Sequence, residues 1–326
     1  MRSMGKKPKI DKFLRFFHMR PKVCENEVRC EIARDLIRNR SPRKTVLIMN
    51  PTSKNGKGKK NWQYFEEFEK IITSSRENAI ETVITSDKEV IVAVGGDGTI
   101  NQCVNGIMKS GKDKVLGVLY SGTSPDFCKF HGIPFTPKEA VEVLKKEEIH
   151  EVDVCKIITE NGEESFFSSS CNVGLGAKVA GTSNKIRKYF GDFLGTLIAL
   201  IYSLLTVQTF DAVIKTETAE QTFKDLYHLF ILKNNYIASG LRFGIDCKAN
   251  DGKIYVIPIF KENPLSIIKK VVGLYKGTFH DKMIVECEKV FVETKPKQYL
   301  EFDGDNYSMT TPITVVCLQR ALRLIK

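Results

Sequence analysis

The sequence predicts an α/β fold: a three-layer domain built on a parallel sheet, followed by a β-rich domain folded as an antiparallel sandwich. Three observations carry this. Continuous apolar runs in the first half alternate with helical stretches, as buried parallel strands covered on both faces require. Beyond residue 150, short β-rich runs follow one another through turns instead of helices. The 326 residues, 42% hydrophobic and 27% charged, have the composition of a folded chain of one large or two ordinary domains.

Taken in order, Thr45-Val46-Leu47-Ile48-Met49 reads as a buried strand. A polar Gly/Lys loop follows, then a helical stretch from about 61 to 73. The next strand is Val90-Ile91-Val92-Ala93-Val94, and a glycine turn leads from it into a helix at about 100–109. Residues 115–120 give a third strand and 137–146 another helix. The β-rich runs are 152–158, 165–171, 210–217, 226–233, 254–260, 283–294 and 298–302, interrupted by helical stretches at about 183–205 and 264–275. These divide the chain into a leader (1–43), a first domain (44–150) and a second (151–314). The segment from about 315 to 326 is free to return to the first domain. A cleft between two such domains is a common ligand position.

The formal charge of +11 is concentrated at the start: residues 1–44 hold 14 Lys or Arg against 5 Asp or Glu, a balance of 14 − 5 = +9. Such a leader either binds an anionic membrane surface or remains a solvated arm. No nucleic-acid-binding module accompanies it, so nucleic acid is not expected as a partner. The nine cysteines are scattered, without metal spacing or a secretory signal, which points to reduced thiols and a cytoplasmic location. The apolar stretch 193–207 is too short to span a bilayer, for which about 20 residues are needed. It is either a core helix or part of a surface that lines an acyl pocket.

The most specific signal is Gly95-Gly96-Asp97-Gly98-Thr99, placed where a buried strand meets a helix. Glycines let the backbone approach a ligand closely, and amides at a helix N-terminus face negative charge, as phosphate requires. A carboxylate among them would repel phosphate unless a metal bridged the two, so Asp97 implies Mg²⁺. The alternative is an ordinary glycine-rich turn. Upstream, the loop Asn50-Pro51-Thr52-Ser53-Lys54-Asn55-Gly56-Lys57-Gly58 follows another buried strand, with Thr52 or Ser53 available to donate to phosphate. It lacks the spacing of a Walker A loop. A third strand ends in Ser121-Gly122-Thr123-Ser124-Pro125-Asp126-Phe127. Three consecutive strand ends therefore offer polar loops on one edge of the sheet, the usual ligand edge of parallel α/β folds.

Together these segments resemble the diacylglycerol kinase catalytic family, which includes sphingosine and ceramide kinases and bacterial lipid kinases. The family's G-G-D-G-T-hydrophobic-N-E-hydrophobic-hydrophobic-N-G is similar to residues 95–106, its G-T-x-N-D-F to Gly122–Phe127, and its N-P-x-x-G-x-G to the stretch opening at Asn50-Pro51. The resemblance covers roughly 44–326. Gln102 stands where the family usually has Glu, Pro125 where it has Asn, Asp305 where it has Glu, and Ser169 where it has Asn.

The resemblance implies an ATP-dependent lipid kinase that moves the γ-phosphoryl group to a lipid hydroxyl, with diacylglycerol the first choice and phosphatidic acid the product. ATP would lie on Asn50, Thr52, Gly95, Gly96, Gly98, Thr99, Gly122 and Thr123, with Asp97 and Asp126 organising Mg²⁺. It assigns Asp303 of Asp303-Gly304-Asp305 as the general base and Asp305 as its electrostatic support; by residues alone this is a hairpin turn. It also places a structural Mg²⁺ on Asp251, with the carbonyls of Lys248 and Lys253 as partners, where a plain Asp-Gly turn is the alternative. Peripheral contact with an anionic membrane is expected, and a homodimer is left open. The rival readings are a NAD kinase-related enzyme, which shares G-G-D-G-T, and a lipid-binding homologue with little or no kinase activity.

Overall fold

The computed structural model describes residues 43–53, 56, 62, 66, 68–174, 208–237, 241–276 and 283–326. The expected helix at 183–205, the apolar stretch 193–207 and all of the leader except Arg43 lie outside the described residues. Lys44–Lys326 is one compact unit.

The first half is a parallel sheet. Its strands are β1 (Thr45–Met49), β2 (Glu69–Ile72), β3 (Val90–Gly95) and β4 (Val115–Tyr120), adjacent in the order β4-β3-β1-β2. The helices are α1 (Arg76–Thr85), α2 (Asp97–Ser110), α3 (Asp126–His131) and α4 (Pro137–Lys146). Because side chains alternate along a strand, each apolar run supplies both faces of the sheet. Val46, Ile48, Ile91, Ala93, Leu116 and Val118 pack with Ala79 and Val83 of α1 and with Ile100, Cys103 and Val104 of α2. Leu47, Met49, Val90, Val92, Val94 and Leu119 pack on the other face with Ala140, Val141 and Leu144 of α4. This sorting makes the three layers.

Two elements here depart from expectation. Within the stretch 61–73, read as helical, Glu69–Ile72 is strand β2, paired in parallel with β1 from Val46↔Glu69 to Met49↔Ile72. It is the edge of the sheet and mostly exposed, so no buried apolar run marked it. Helix α1 was not anticipated, because it buries only Ala79 and Val83 and carries little helical periodicity. Ser75 caps it by accepting from the Asn78 amide at 3.1 Å.

The second half is β-rich and antiparallel. Its strands are β5 (Ile149–Thr159), β6 (Glu164–Phe167), β7 (Ser170–Gly174), β8 (Phe210–Lys215), β9 (Glu220–Leu232), β10 (Tyr236–Ile237), β11 (Leu241–Arg242), β12 (Ile254–Phe260), β13 (Val285–Cys287), β14 (Lys289–Lys295), β15 (Tyr299–Phe302), β16 (Asp305–Thr310) and β17 (Ile313–Ile325). Helix α5 (Pro264–Lys276) lies between β12 and β13. The runs expected at 165–171 and 283–294 are each two strands, broken at Ser168-Ser169 and at Glu288. Residues such as Phe167, Phe210, Leu229, Val256, Val292, Phe302 and Val315 form the core of this half.

Among the described residues, fifteen strands form one sheet, with the path β16-β15-β7-β9-β8-β14-β17-β4-β3-β1-β2. β17 joins its two halves. It pairs antiparallel with β14 and β5, and its end, Arg323 and Leu324, pairs in parallel with Val115 and Leu116 of β4. The 13 residues of one strand thus fix the β-rich half against the parallel sheet.

Candidate active site

Three strand ends converge at the glycine turn after β3. The Asn50 amide donates to the Val94 carbonyl at 3.2 Å, and the Ser121 amide to the Gly95 carbonyl at 2.8 Å. Gly96 caps α2, its carbonyl accepting from the Thr99 and Ile100 amides. Asn50 Nδ2 donates to Thr99 Oγ1 at 3.2 Å, while Asn50 Oδ1 accepts from the Thr52 amide and hydroxyl at 2.9 and 2.7 Å. The turn is too tight for side chains. A Cβ on Gly95 would lie 2.1 Å from Thr99 Oγ1, and one on Gly122 would lie 2.4 Å from Gly96 Cα. Thr123 sits exposed at the tip of the third loop.

Asp97 opens α2, and its Oδ1 is enclosed without a hydrogen-bond partner. Burial, then the neighbouring carboxylates of Asp126 and Asp303, push its pKa well above the ordinary range; the Phe127 and Asp126 amides oppose this. Asp126 opens the short helix α3 and accepts from Ser124 Oγ at 2.9 Å. The buried phenol of Tyr120, at the end of β4, is pushed up in pKa by burial and then by the field of Asp97. Two adjacent carboxylates, one with an enclosed oxygen lacking a partner, are hard oxygen donors that would suit a magnesium ion. No cluster of three or more metal-ligating side chains occurs among the described residues.

Two contacts bring the C-terminal motif to this turn. A Cβ on Gly98 would lie 2.9 Å from Asp305 Oδ2, so only glycine leaves room for that carboxylate. Asn101 Nδ2, one turn into α2, donates to Asp303 Oδ2 at 3.0 Å. Asp303 and Gly304 have φ of 48° and 87° and join β15 to β16, where Phe302 pairs with Asp305. This is the two-residue turn that Asp-Gly favours. Both oxygens of Asp303 are filled: Oδ2 also accepts from the Ser168 amide at 2.8 Å and hydroxyl at 3.1 Å, and Oδ1 from the Ser169 and Ser170 amides at 2.8 and 3.1 Å. Five donors meet a carboxylate with about four acceptor sites. Asp303, expected as the general base, thus also holds the 168–170 turn, and burial raises its pKa against the hydrogen bonds from Ser168, Asn101, Ser170 and Ser169. Asp305 is half-buried beside the glycine turn, and burial raises its pKa against the Arg76 guanidinium, Asp303 adding to the rise.

The ligands expected for a structural metal ion lie in another part of the β-rich half. Asp251 and the carbonyls of Lys248 and Lys253 do come together, but they surround the Lys233 ammonium, at 2.5, 3.0 and 3.1 Å. Asp153 adds a fourth oxygen at 2.9 Å. These residues make a second cluster, distinct from the contacts of the glycine turn.

Sequence reasoning passed over several site residues. Glu301 is buried and accepts from Asn172 Nδ2 at 2.7 Å and the Gly304 amide at 3.1 Å. Burial raises its pKa to about 7, the Asn172 and Gly304 hydrogen bonds opposing and the charges of Asp303 and Asp305 adding to the rise. Glu301 lies two residues before Asp303, at the end of β15, so three acids fall within five residues around this hairpin turn. Asn105 ties α2 to β6, donating to the Phe166 carbonyl at 2.8 Å and accepting from the Phe166 amide at 3.0 Å. Tyr120, by contrast, reads in sequence as one more residue of an apolar strand.

Comparison with known proteins bears on the family and the fold. Residues 44–157 match the family model described as the diacylglycerol kinase catalytic domain. A Staphylococcus haemolyticus protein named "Putative lipid kinase" is 24% identical over 251 residues, covering 74% of this chain and 77% of its own length. A Staphylococcus aureus (strain Mu3) protein of the same name is 25% identical over 252 residues, covering 73% and 77%. A solved diacylglycerol kinase from Bacillus anthracis shares the fold, with a TM-score of 0.70 at 23% identity over 88% of this chain and 98% of that one. The resemblance read from the sequence is thereby shown.

Proposed function

We propose that this kinase, carrying a diacylglycerol kinase catalytic domain, transfers the γ-phosphoryl group of ATP to a lipid hydroxyl, that of diacylglycerol, to give phosphatidic acid. One observation carries the reading: Asp305, from the β-rich half, packs against Gly98 of the phosphate-type turn. An acceptor hydroxyl held by the second half would then meet a bound nucleotide at a carboxylate able to take its proton.

The roles follow from the contacts. Gly95, Gly96, Gly98 and Gly122 keep side chains out of the path of the phosphates, while Asn50, Thr52 and Thr99 brace the turn that presents its amides. Asp97 and Asp126 would hold Mg²⁺, which when bound neutralises charge developing on the phosphoryl oxygens. Asp305, raised in pKa and in contact with the turn, accepts the hydroxyl proton as the alcohol attacks. Asp303 positions Asp305 by fixing the tight turn between them.

The basic leader would add attraction to an anionic membrane that contains the substrate. No helix among the described residues is long and apolar enough to cross a membrane. The test is ATP consumption with a panel of lipid alcohols in mixed micelles, with NAD as a control acceptor. Turnover with diacylglycerol alone supports the proposal. Turnover with NAD would replace it by the NAD kinase reading, and none with any acceptor by a lipid-binding role.

A further inference from the structure

We infer that the Lys233 ammonium is the resident cation of the cluster formed by Asp153, Asp251 and the carbonyls of Lys248 and Lys253, and that this chain takes no metal ion there. The lysine extends from the end of β9 with its side chain 1% exposed, against an Asp153 side chain at 0%. Its nitrogen has four oxygen neighbours at 2.5–3.1 Å, two of them from carboxylates.

The remaining acceptor positions are also closed. Asp153 Oδ1 accepts from the Arg320 amide at 2.8 Å and Oδ2 from the Gly252 amide at 2.7 Å. Asp251 Oδ1 accepts from the Lys253 amide at 3.0 Å, and Oδ2 from the Lys248 amide at 2.9 Å and the Tyr255 hydroxyl at 3.0 Å. Arg320 has φ of 54° and lies where the register of β17 shifts, so the bulge in that joining strand is anchored on Asp153. One ammonium therefore ties β9 and β5 to the turn before β12, with Asp153 in turn holding β17.

Electrostatics excludes a second cation. Two carboxylates and two carbonyls pointing inward need positive charge, and an ammonium supplies it with three N–H donors. The four oxygens stand 2.5–3.1 Å from the amine nitrogen, at hydrogen-bond distance. A metal ion in the same cage would meet an amine nitrogen within contact distance, in a space already filled by the lysine stem. Burial lowers the amine's pKa, but the hydrogen bonds of Asp251 and Asp153 outweigh it and hold the group charged. A covalently attached cation also makes this part of the fold independent of metal concentration.

Thermal unfolding of the full chain without nucleotide tests this apart from any activity. The comparison is made on Asp97→Asn, which lacks the carboxylate proposed to anchor Mg²⁺ at the glycine turn; its midpoint should coincide in EDTA, Mg²⁺ and Ca²⁺. Adding Lys233→Met should lower it by about 5–10 °C, since it leaves two buried carboxylates without their partner. Adding Lys233→Ser should empty the cage, so that the midpoint rises with Ca²⁺ or Mg²⁺ and falls back in EDTA. An Asp97→Asn midpoint that drops in EDTA and recovers with Mg²⁺ would overturn the inference. So would an unchanged midpoint on adding Lys233→Met, or a Lys233→Ser protein indifferent to divalent ions. If neither double variant folds, the Asp97→Asn comparison alone decides.

Discussion

Asn101 Nδ2 donates to Asp303 Oδ2 at 3.0 Å, joining residues 202 positions apart in the chain. Asn101 also donates to the Phe166 carbonyl at 2.9 Å, so α2, β6 and the β15–β16 turn meet at one buried amide. The helix that begins with the glycine turn thereby sets the height of the C-terminal acids.

Asp303→Asn should behave as a structural lesion. Its NH₂ would face the Ser168–Ser170 amides that the carboxylate now accepts, leaving buried donors unpaired at about 1–3 kcal/mol. Both the unfolding midpoint and ATP affinity should fall, along with turnover. Asp305→Asn should leave the midpoint within a few degrees but lower kcat by about 10²–10⁴-fold, the usual loss of an acid–base group. Calorimetry beside steady-state kinetics separates them. A stable Asp303→Asn that loses only kcat would restore Asp303 as the base.

Asp97 predicts a trade between stability and rate. Its pKa is raised, so the folded protein prefers the neutral acid and the charged form is a burden at neutral pH. Asp97→Asn should therefore unfold at the same or a higher temperature in metal-free buffer. Its turnover should nevertheless drop by about 10²-fold or more, because an amide cannot anchor the cation beside phosphate. Near-normal turnover in the folded variant would remove the assigned role.

Glu301 should make stability depend on pH. Its carboxyl moves from the ordinary 4.5 to about 7 on folding. The raised value means that its stabilising contribution is complete below about pH 4.5 and is lost as pH rises through about 7. Glu301→Gln mimics the protonated form, with the Asn172 amide turned to match. Its midpoint should equal that of wild type near pH 5 and exceed it by a few degrees near pH 8, as unfolding curves at the two pH values will show. Parallel curves for the two proteins across that range would mean that Glu301 stays ionised.

Removal of residues 1–43 should weaken binding to anionic vesicles without changing the unfolding midpoint of the remainder, since Lys44–Lys326 is a compact unit. The difference should fade in high salt, where the Debye length shrinks to about 3 Å at 1 M. Vesicle co-sedimentation of both forms at low salt checks it. Equal binding there would make the leader a solvated arm.

Much was legible because it is local. Strands β1, β3 and β4 are runs of apolar residues buried on both faces, and burial on both faces leaves no alternation to misread. The glycine turn declared itself because a strand, close-packed glycines, an acid and a helix occupy consecutive residues. Edge strand β2 and helix α1 did not, since each buries too little apolar surface to mark its sequence. The Asp303-Gly304 turn was also readable, but the donors around it were not: Asp303 receives them from Asn101 and residues 168–170, far away in the chain. Lys233 is the sharpest case. In sequence it is a lysine at a strand end, indistinguishable from a surface residue, while Asp251 has the look of a metal ligand. Only the packing of β9 beside β12 brings an ammonium among those oxygens.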